Sequence, residues 1–285
     1  MIRSVAAHLT HAFSLFVLAG ALGLTSVAAA QGPPPKDPAA LPPTELGIKY
    51  RLSLMASGGL DLDVFGEVVT VGLSCNNEIT EGPTACNQQH RIVQVDQLLH
   101  YPDVYIRTQR RLNASAGFGI FQKDEIIVQV SRSSSAAESN IRLGNYISGE
   151  GTRPLRATFT MYTDQSIEGG LRHYLRAVGR SKSYVNLLYG RRRVEAITAD
   201  LIAAGSDGNL GTVRFYDKAT LSTAAIVFGV TYEKGMVGGY VEAGFRWTAK
   251  LARQDGDLSA LGVDMINDTG SRIFMPANVG ILVRF

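Results

Sequence analysis

The stretch Ala277-Asn278-Val279-Gly280-Ile281-Leu282-Val283-Arg284-Phe285 places an apolar residue at every odd position counted back from Phe285. Side chains of a strand alternate between its two faces, so these odd positions form one continuous apolar face. A strand of about ten residues with one apolar face is the repeating unit of a transmembrane β-barrel. Val279, Ile281, Val283 and Phe285 are read as the outward face of a closing strand and as a C-terminal assembly signal.

The other end of the chain agrees with export. Residues 1–30 carry Arg3, an apolar run from Phe13 to Leu24, and Ala28-Ala29-Ala30 before Gln31, the layout of a cleavable secretory signal. The run is shorter than the ~20 residues of a spanning helix. Residues 31–44 (QGPPPKDPAALPPT) form a proline-rich tether, because proline gives no donor to a ladder. Residues 45–285 are left for the barrel. No later segment approaches a helical span, so a membrane-crossing chain must here be a closed barrel. The expected destination is the outer membrane of a Gram-negative cell, through the general secretory pathway, with outer-membrane lipid as surroundings. Basic and acidic residues number 28 and 25, which gives no basic stripe for nucleic acid. Export favours a disulfide between Cys75 and Cys86, contributing on the order of 3 kcal/mol on the chain-entropy model. Two cysteines with His90 or His100 make a poor zinc site.

Eight segments alternate in polarity: 46–55, 112–121, 125–133, 166–176, 184–194, 221–232, 237–250 and 272–285. The connections after the second, fourth and sixth are short, and those after the first, third, fifth and seventh are long and polar. An even number of strands with short turns on one side and long loops on the other is the rhythm of an up-and-down transmembrane barrel. A soluble sandwich would turn polar faces outward. The prediction is therefore an all-β, closed antiparallel barrel of eight strands. Ten is the alternative, because 64–71 and 91–95 inside the long first connection (56–111) also look strand-like. Tyr184, Tyr189, Tyr232, Tyr240 and Trp247 fall near strand ends and suggest partial interfacial girdles.

Two segments repeat Glu-x-Gly-x-Arg, at Glu168-Gly169-Gly170-Leu171-Arg172 and Glu242-Ala243-Gly244-Phe245-Arg246. Alternation puts each Glu, Gly and Arg on one face, and Ile167, Leu171, Val241 and Phe245 assign that face to the lumen. The strands run in opposite directions, so Glu168 is expected near Arg246 and Arg172 near Glu242, with Lys49 and Arg51 extending the network. Paired charges fill a narrow eight-stranded lumen. Guanidinium neighbours keep carboxylates ionised, which argues against general-acid chemistry and open conduction. His173 faces lipid, and His90 and His100 near Ser74 and Asp96 form no recognised motif. Gly117-Phe118-Gly119 lies inside a strand with no helix after it, so it cradles no phosphate.

The segments 110–119 (RRLNASAGFG), 168–175 (EGGLRHYL) with Tyr184-Val185 after the turn, and 192–197 (RRVEAI) resemble small proteobacterial outer-membrane barrels of the OmpA-like transmembrane type. The resemblance runs from about Val104 to Phe285. It implies a monomeric eight-stranded barrel delivered by periplasmic chaperones and the barrel-assembly machinery, and it implies no reaction. The expectation is a non-enzymatic barrel without cofactor, serving the envelope or displaying loops for surface or ligand contact. A small-solute channel and a lipid-modifying or lipid-hydrolysing barrel enzyme are the alternatives.

Overall fold

A computed structural model describes residues 47–75, 92–106, 108–148, 151–204, 208–254, 257–258, 266–268 and 270–285. The expected signal and tether lie outside the described residues, as does Cys86, and with it the expected disulfide. In chain order the elements are β1 (Leu52–Phe65), β2 (Glu67–Val69), β3 (Gly72–Cys75), β4 (Ile92–Val95), β5 (Leu99–His100), α1 (Tyr101–Val104), β6 (Thr108–Gly119), β7 (Asp124–Ser135), β8 (Ile141–Ser148), β9 (Gly151–Phe159), β10 (Tyr162–Val178), β11 (Ser181–Val194), β12 (Ile197–Ala203), β13 (Asn209–Tyr216), β14 (Ala219–Lys234), β15 (Val237–Thr248) and β16 (Arg272–Arg284).

Eight of these strands close a barrel in the order β1-β16-β15-β14-β11-β10-β7-β6, every pairing antiparallel. The eight-strand reading holds: of the strand-like pieces of the first connection, 64–71 goes into the end of β1 and into β2, and 91–95 into β4, with β2 and β4 outside the barrel. Following cross-strand partners once around, from Asp124 through His173, Val185, Phe228, Ala243, Ala277, Leu60 and Arg110, returns to β7 at Ser134, ten residues from the start. Eight strands with a shear of ten tilt by roughly 40° and enclose a lumen that side chains can fill.

Alternation sorts the two faces. Leu54, Leu112, Val128, Ile167, Leu187, Phe228, Val241 and Ile281 are exposed on the outside, while Ser57, Asn113, Gln129, Ser166, Asn186, Thr223, Glu242 and Asn278 are buried within. The polarity is inverted relative to a soluble barrel, as a lipid-facing wall requires. Tyr184 and Tyr240 point inward and are buried, so only Tyr189, Tyr232 and Trp247 of the expected girdle lie outside.

β1 starts later than the alternation suggested. Residues 47–51 turn under the barrel instead, with Tyr50 at a φ of 60°, and its N–H donates to the Gly119 carbonyl at 2.7 Å. Ile48 is thereby buried against Tyr174 and Tyr184, closing the lumen at the short-turn end. Gly119 permits this approach, because a Cβ there would sit 1.8 Å from the Ile48 carbonyl oxygen.

Where they are described, the long connections are not polar loops. Asp164 pairs with Val194 and, five residues further along both strands, Phe159 pairs with Ala199 in the same register. Val194 likewise pairs with Ala219, and Ile197 with Tyr216. The ladders of β10, β11 and β14 thus continue past the barrel as β9, β12 and β13. With β8, β4 and β3 they form a six-stranded sheet in the order β13-β12-β9-β8-β4-β3. Its buried side chains, among them Leu143, Leu155, Phe159, Leu201, Val213 and Phe215, share one core with Val68, Leu99, Tyr101, Val104 and Tyr105 of the first connection and Leu251, Leu258 and Ile266 of the last. Tyr162 and Val194, at the upper ends of β10 and β11, belong to the same core, so this cap begins where the polar lumen ends.

Candidate functional site: the lumen and its cap

The described lumen holds six carboxylates, Asp61, Asp63, Glu125, Asp164, Glu168 and Glu242, against six guanidinium groups, Arg111, Arg172, Arg192, Arg246, Arg272 and Arg284. Five of these carboxylates form ion pairs with five of the guanidinium groups, Glu242 is held by uncharged donors, and Arg284 pairs with Glu233 at 3.4 Å.

Local register decides the partners. Glu168 lies opposite Gln129 on one neighbouring strand and Gly190 on the other, neither of them charged. Its nearest compensating charge is across the lumen, and the structure brings it into an ion pair with Arg246 on β15. Arg172 lies directly opposite Glu125 and pairs with it at 2.8 Å. The expected Arg172–Glu242 ion pair therefore does not form, because the adjacent carboxylate is closer. The two remain linked through Asn186, whose Oδ1 accepts from Arg172 Nε at 3.0 Å and whose Nδ2 donates to Glu242 at 3.4 Å. Tyr184 donates to Glu242 at 3.0 Å through the space left by Gly229, and Asn278 donates to it at 3.0 Å. Lys49 and Arg51 are exposed and stand outside this network, Lys49 lying over the Tyr50 ring. Their segment leaves the wall before β1 begins, which the alternation at 46–55 concealed.

The upper lumen forms a layer that sequence reasoning missed. Asp61 pairs with Arg111, Asp164 with Arg192 at 3.2 Å, and Asp63 with Arg272. All three guanidinium groups lie within 5.4 Å of the Phe274 ring centroid. Such stacking contributes from about 0.5 kcal/mol when exposed to about 2 kcal/mol when desolvated. Arg272 also lies 4.2 Å from the Tyr101 ring and 4.7 Å from Tyr162, and so joins the charged layer to the cap. At the opposite end Arg284 donates to Tyr174 Oη at 2.6 Å and Lys182 pairs with Glu233 at 2.8 Å. Val279, Ile281 and Phe285 are exposed on the outer wall, Val283 half-buried there.

In the cap, burial pushes the Tyr101 phenol up to about 12, and that of Tyr105 well above its ordinary value. On the rim, the hydrogen bond from Lys218 at 2.7 Å holds Glu195 below the usual carboxylate range. The histidine contacts found, His100 with Asp103 at 3.3 Å and His173 with Asp124 at 2.8 Å, involve no serine hydroxyl. Among the described residues, no group of three or more His, Cys, Asp or Glu side chains is placed to hold a metal ion.

No protein-family model matches the chain, and no curated protein is similar in sequence. Among solved structures, it is similar to Neisserial surface protein A at 10% identity, covering 82% of this chain and 97% of that one with a TM-score of 0.42. It is also similar to the attachment invasion locus protein of Yersinia pestis (8% identity, 84% and 100% covered, TM-score 0.38) and to an outer membrane protease of Escherichia coli (10%, 82% and 97%, 0.37). The fold assignment rests on the closed ladder itself and not on these likenesses.

Proposed function

We propose that the chain is a non-enzymatic integral outer-membrane barrel that crosses the membrane as a solid pillar and presents its six-stranded sheet to the outside as a contact surface. The observation that carries this reading is the continuous filling from end to end. Ile48 with the tyrosine pair closes one mouth, paired charges occupy the middle, and an apolar core covers the other mouth. A lumen so filled opposes the channel reading, since a passing solute would have to separate buried ion pairs, each break costing roughly 3–5 kcal/mol. The pairing opposes acid–base catalysis on geometric grounds, since five of the carboxylates are each engaged by a buried guanidinium group. What remains for contact is the outer sheet, whose edge strands β3 and β13 each have one paired neighbour in the described structure. Delivery by periplasmic chaperones and the barrel-assembly machinery, and a monomeric state, belong to the same proposal.

Two measurements test it. The detergent-folded protein should migrate differently on gels before and after boiling, and planar bilayers containing it should show no steady conductance. Unchanged migration would refute the barrel, and reproducible single-channel steps would refute the pillar. Turnover of lipid or peptide by purified protein would refute the non-enzymatic part.

A further inference from the structure

The outer wall is not uniform around its circumference. On β1, β15 and β16 the apolar side chains continue upward through Leu60, Leu62, Val64, Trp247 and Ile273, without a charge. On β6, β7, β10 and β11 the corresponding outward positions change to Arg110, Arg132, Gln165, Arg191 and Arg193. Arg132 lies opposite Gln165, and Gln165 opposite Arg193, on one rung. A shear of ten over eight strands raises each successive rung partner by a little over one residue. With that correction Arg110, Arg132 and Arg191 stand at one height, to within about one residue's rise of ~3.3 Å. Arg193 stands just above them.

Among the described residues, none of these four cations makes an ion pair; Arg191 donates to Ser222 Oγ at 3.1 Å. Arg193 lies near enough to Glu195 for their charges to interact, but the ion pair of Glu195 is with Lys218. In the described lumen every guanidinium group has an ion pair, Arg284 with Glu233 included, so a cluster without ion pairs on the outer wall departs from the molecule's own pattern. Immediately below, Leu112, Ala114, Val130 and Ile167 form the floor of an open groove of ≈ 630 Å³ whose brim includes Arg132, Arg191 and Arg193. An apolar floor beneath a cationic brim, on a wall that otherwise faces lipid, suits an amphiphile with acyl chains and phosphate.

We propose that this groove binds a phosphorylated glycolipid of the outer leaflet, its acyl chains along Leu112, Val130 and Ile167 and its phosphates on Arg132, Arg191 and Arg193. The inference rests on the orientation under Proposed function, in which the six-stranded sheet faces outside, so that the short turns at the other end face the periplasm. Arginine suits the role because its planar fork binds phosphate oxygens bidentately and is always charged. The long-loop side places the cluster at the outer leaflet.

The test uses the full chain folded in detergent, with native mass spectrometry and titration against diphosphorylated lipid A, the same lipid stripped of its phosphates, and inorganic phosphate. The wild type should bind the diphosphorylated form at least about tenfold more tightly than the triple variant Arg132→Gln, Arg191→Gln, Arg193→Gln, about 1.4 kcal/mol or more. A control pair on the short-turn side, Arg176→Gln with Arg180→Gln, should bind as the wild type does. Gel mobility before and after boiling checks folding; if the triple variant fails that check, Arg132→Gln alone should weaken binding about threefold or more. Equal binding by the variants, equal binding of the dephosphorylated lipid, or full competition by inorganic phosphate overturns the site. Insertion into liposomes is scored separately. A chain that does not insert overturns the membrane placement, whereas an inserted chain without phosphate preference overturns only the lipid site.

Discussion

The trans-lumen pair Glu168–Arg246 should be energetically coupled far more strongly than Glu242–Arg172, although both are built from the same sequence repeat. Arg246→Met leaves Glu168 buried, with uncharged Gln129 and Gly190 as its cross-strand neighbours, so the single variant should lose roughly 3–5 kcal/mol. Unit charges 4 Å apart at an effective dielectric of 20 interact by about 4 kcal/mol, which sets the scale. Replacing both, Glu168→Leu with Arg246→Met, removes the stranded charge and should recover about 2–3 kcal/mol of that loss as coupling energy. Glu242 and Arg172 form no ion pair and are linked through Asn186 and through Tyr184, and each has closer partners that survive the other's removal. Their coupling should stay below about 1 kcal/mol. Urea unfolding of the protein in lipid bilayers, followed by the fluorescence of Trp247, the single tryptophan and an outward-facing one, measures all four corners of each cycle. Equal coupling in the two cycles would refute register as the selector of partners.

Other consequences concern the ends of the lumen. Phe215→Ala should cost about 3–5 kcal/mol within the cap core, seen as faster hydrogen exchange in β12 and β13 while the barrel still shifts on boiling. Gly119→Ala should displace the Ile48 turn, raising protease sensitivity at residues 47–51 and lowering the unfolding midpoint. For Tyr101 the folded pKa, about 12, lies above the ordinary 10, so its contribution to stability is intact below pH 10 and lost as pH rises toward 12. Cap opening, followed by hydrogen exchange in β9 and β12, should therefore set in between pH 10 and 12; a cap that opens below pH 10 would count against this assignment.

Seven of the eight barrel strands were legible because lipid on one side and a polar lumen on the other impose strict alternation, and alternation can be read from residue types alone. The eighth, β1, was misplaced because 46–55 alternates equally well while turning under the barrel, and only the backbone reveals Tyr50 in the left-handed region. The glutamate–arginine repeat pointed to the right face and to one true pair. Glu125 went unused although its parity already placed it inward, since the choice between Glu125 and Glu242 for Arg172 depends on cross-strand register, which no single strand contains. The Asp61, Asp63 and Asp164 layer stayed hidden for a related reason, as its members come from β1, β6, β10, β11 and β16. The cap was illegible because its strands are short and its core draws on all four long connections.

The cap and the lumen are joined covalently and by side chains, which bears on what an outside contact can do. The β10–β11 ladder passes into β9–β12 with no change of register, the β11–β14 ladder continues as β12–β13 with a bulge after Ile197, and Arg272 rests on Tyr101 and Tyr162 of the cap while paired with Asp63 of the wall. A partner pressing on the outer sheet thus meets a body anchored by buried ion pairs, not a set of loops free to reorganise. Ordering cost on binding should be small. Arg272→Leu tests the coupling directly. If cap and lumen are one unit, hydrogen exchange should quicken in β9 and β12 as well as around Asp63 and Asp164; quickening confined to the barrel would show that the cap holds itself together without the charged layer beneath it.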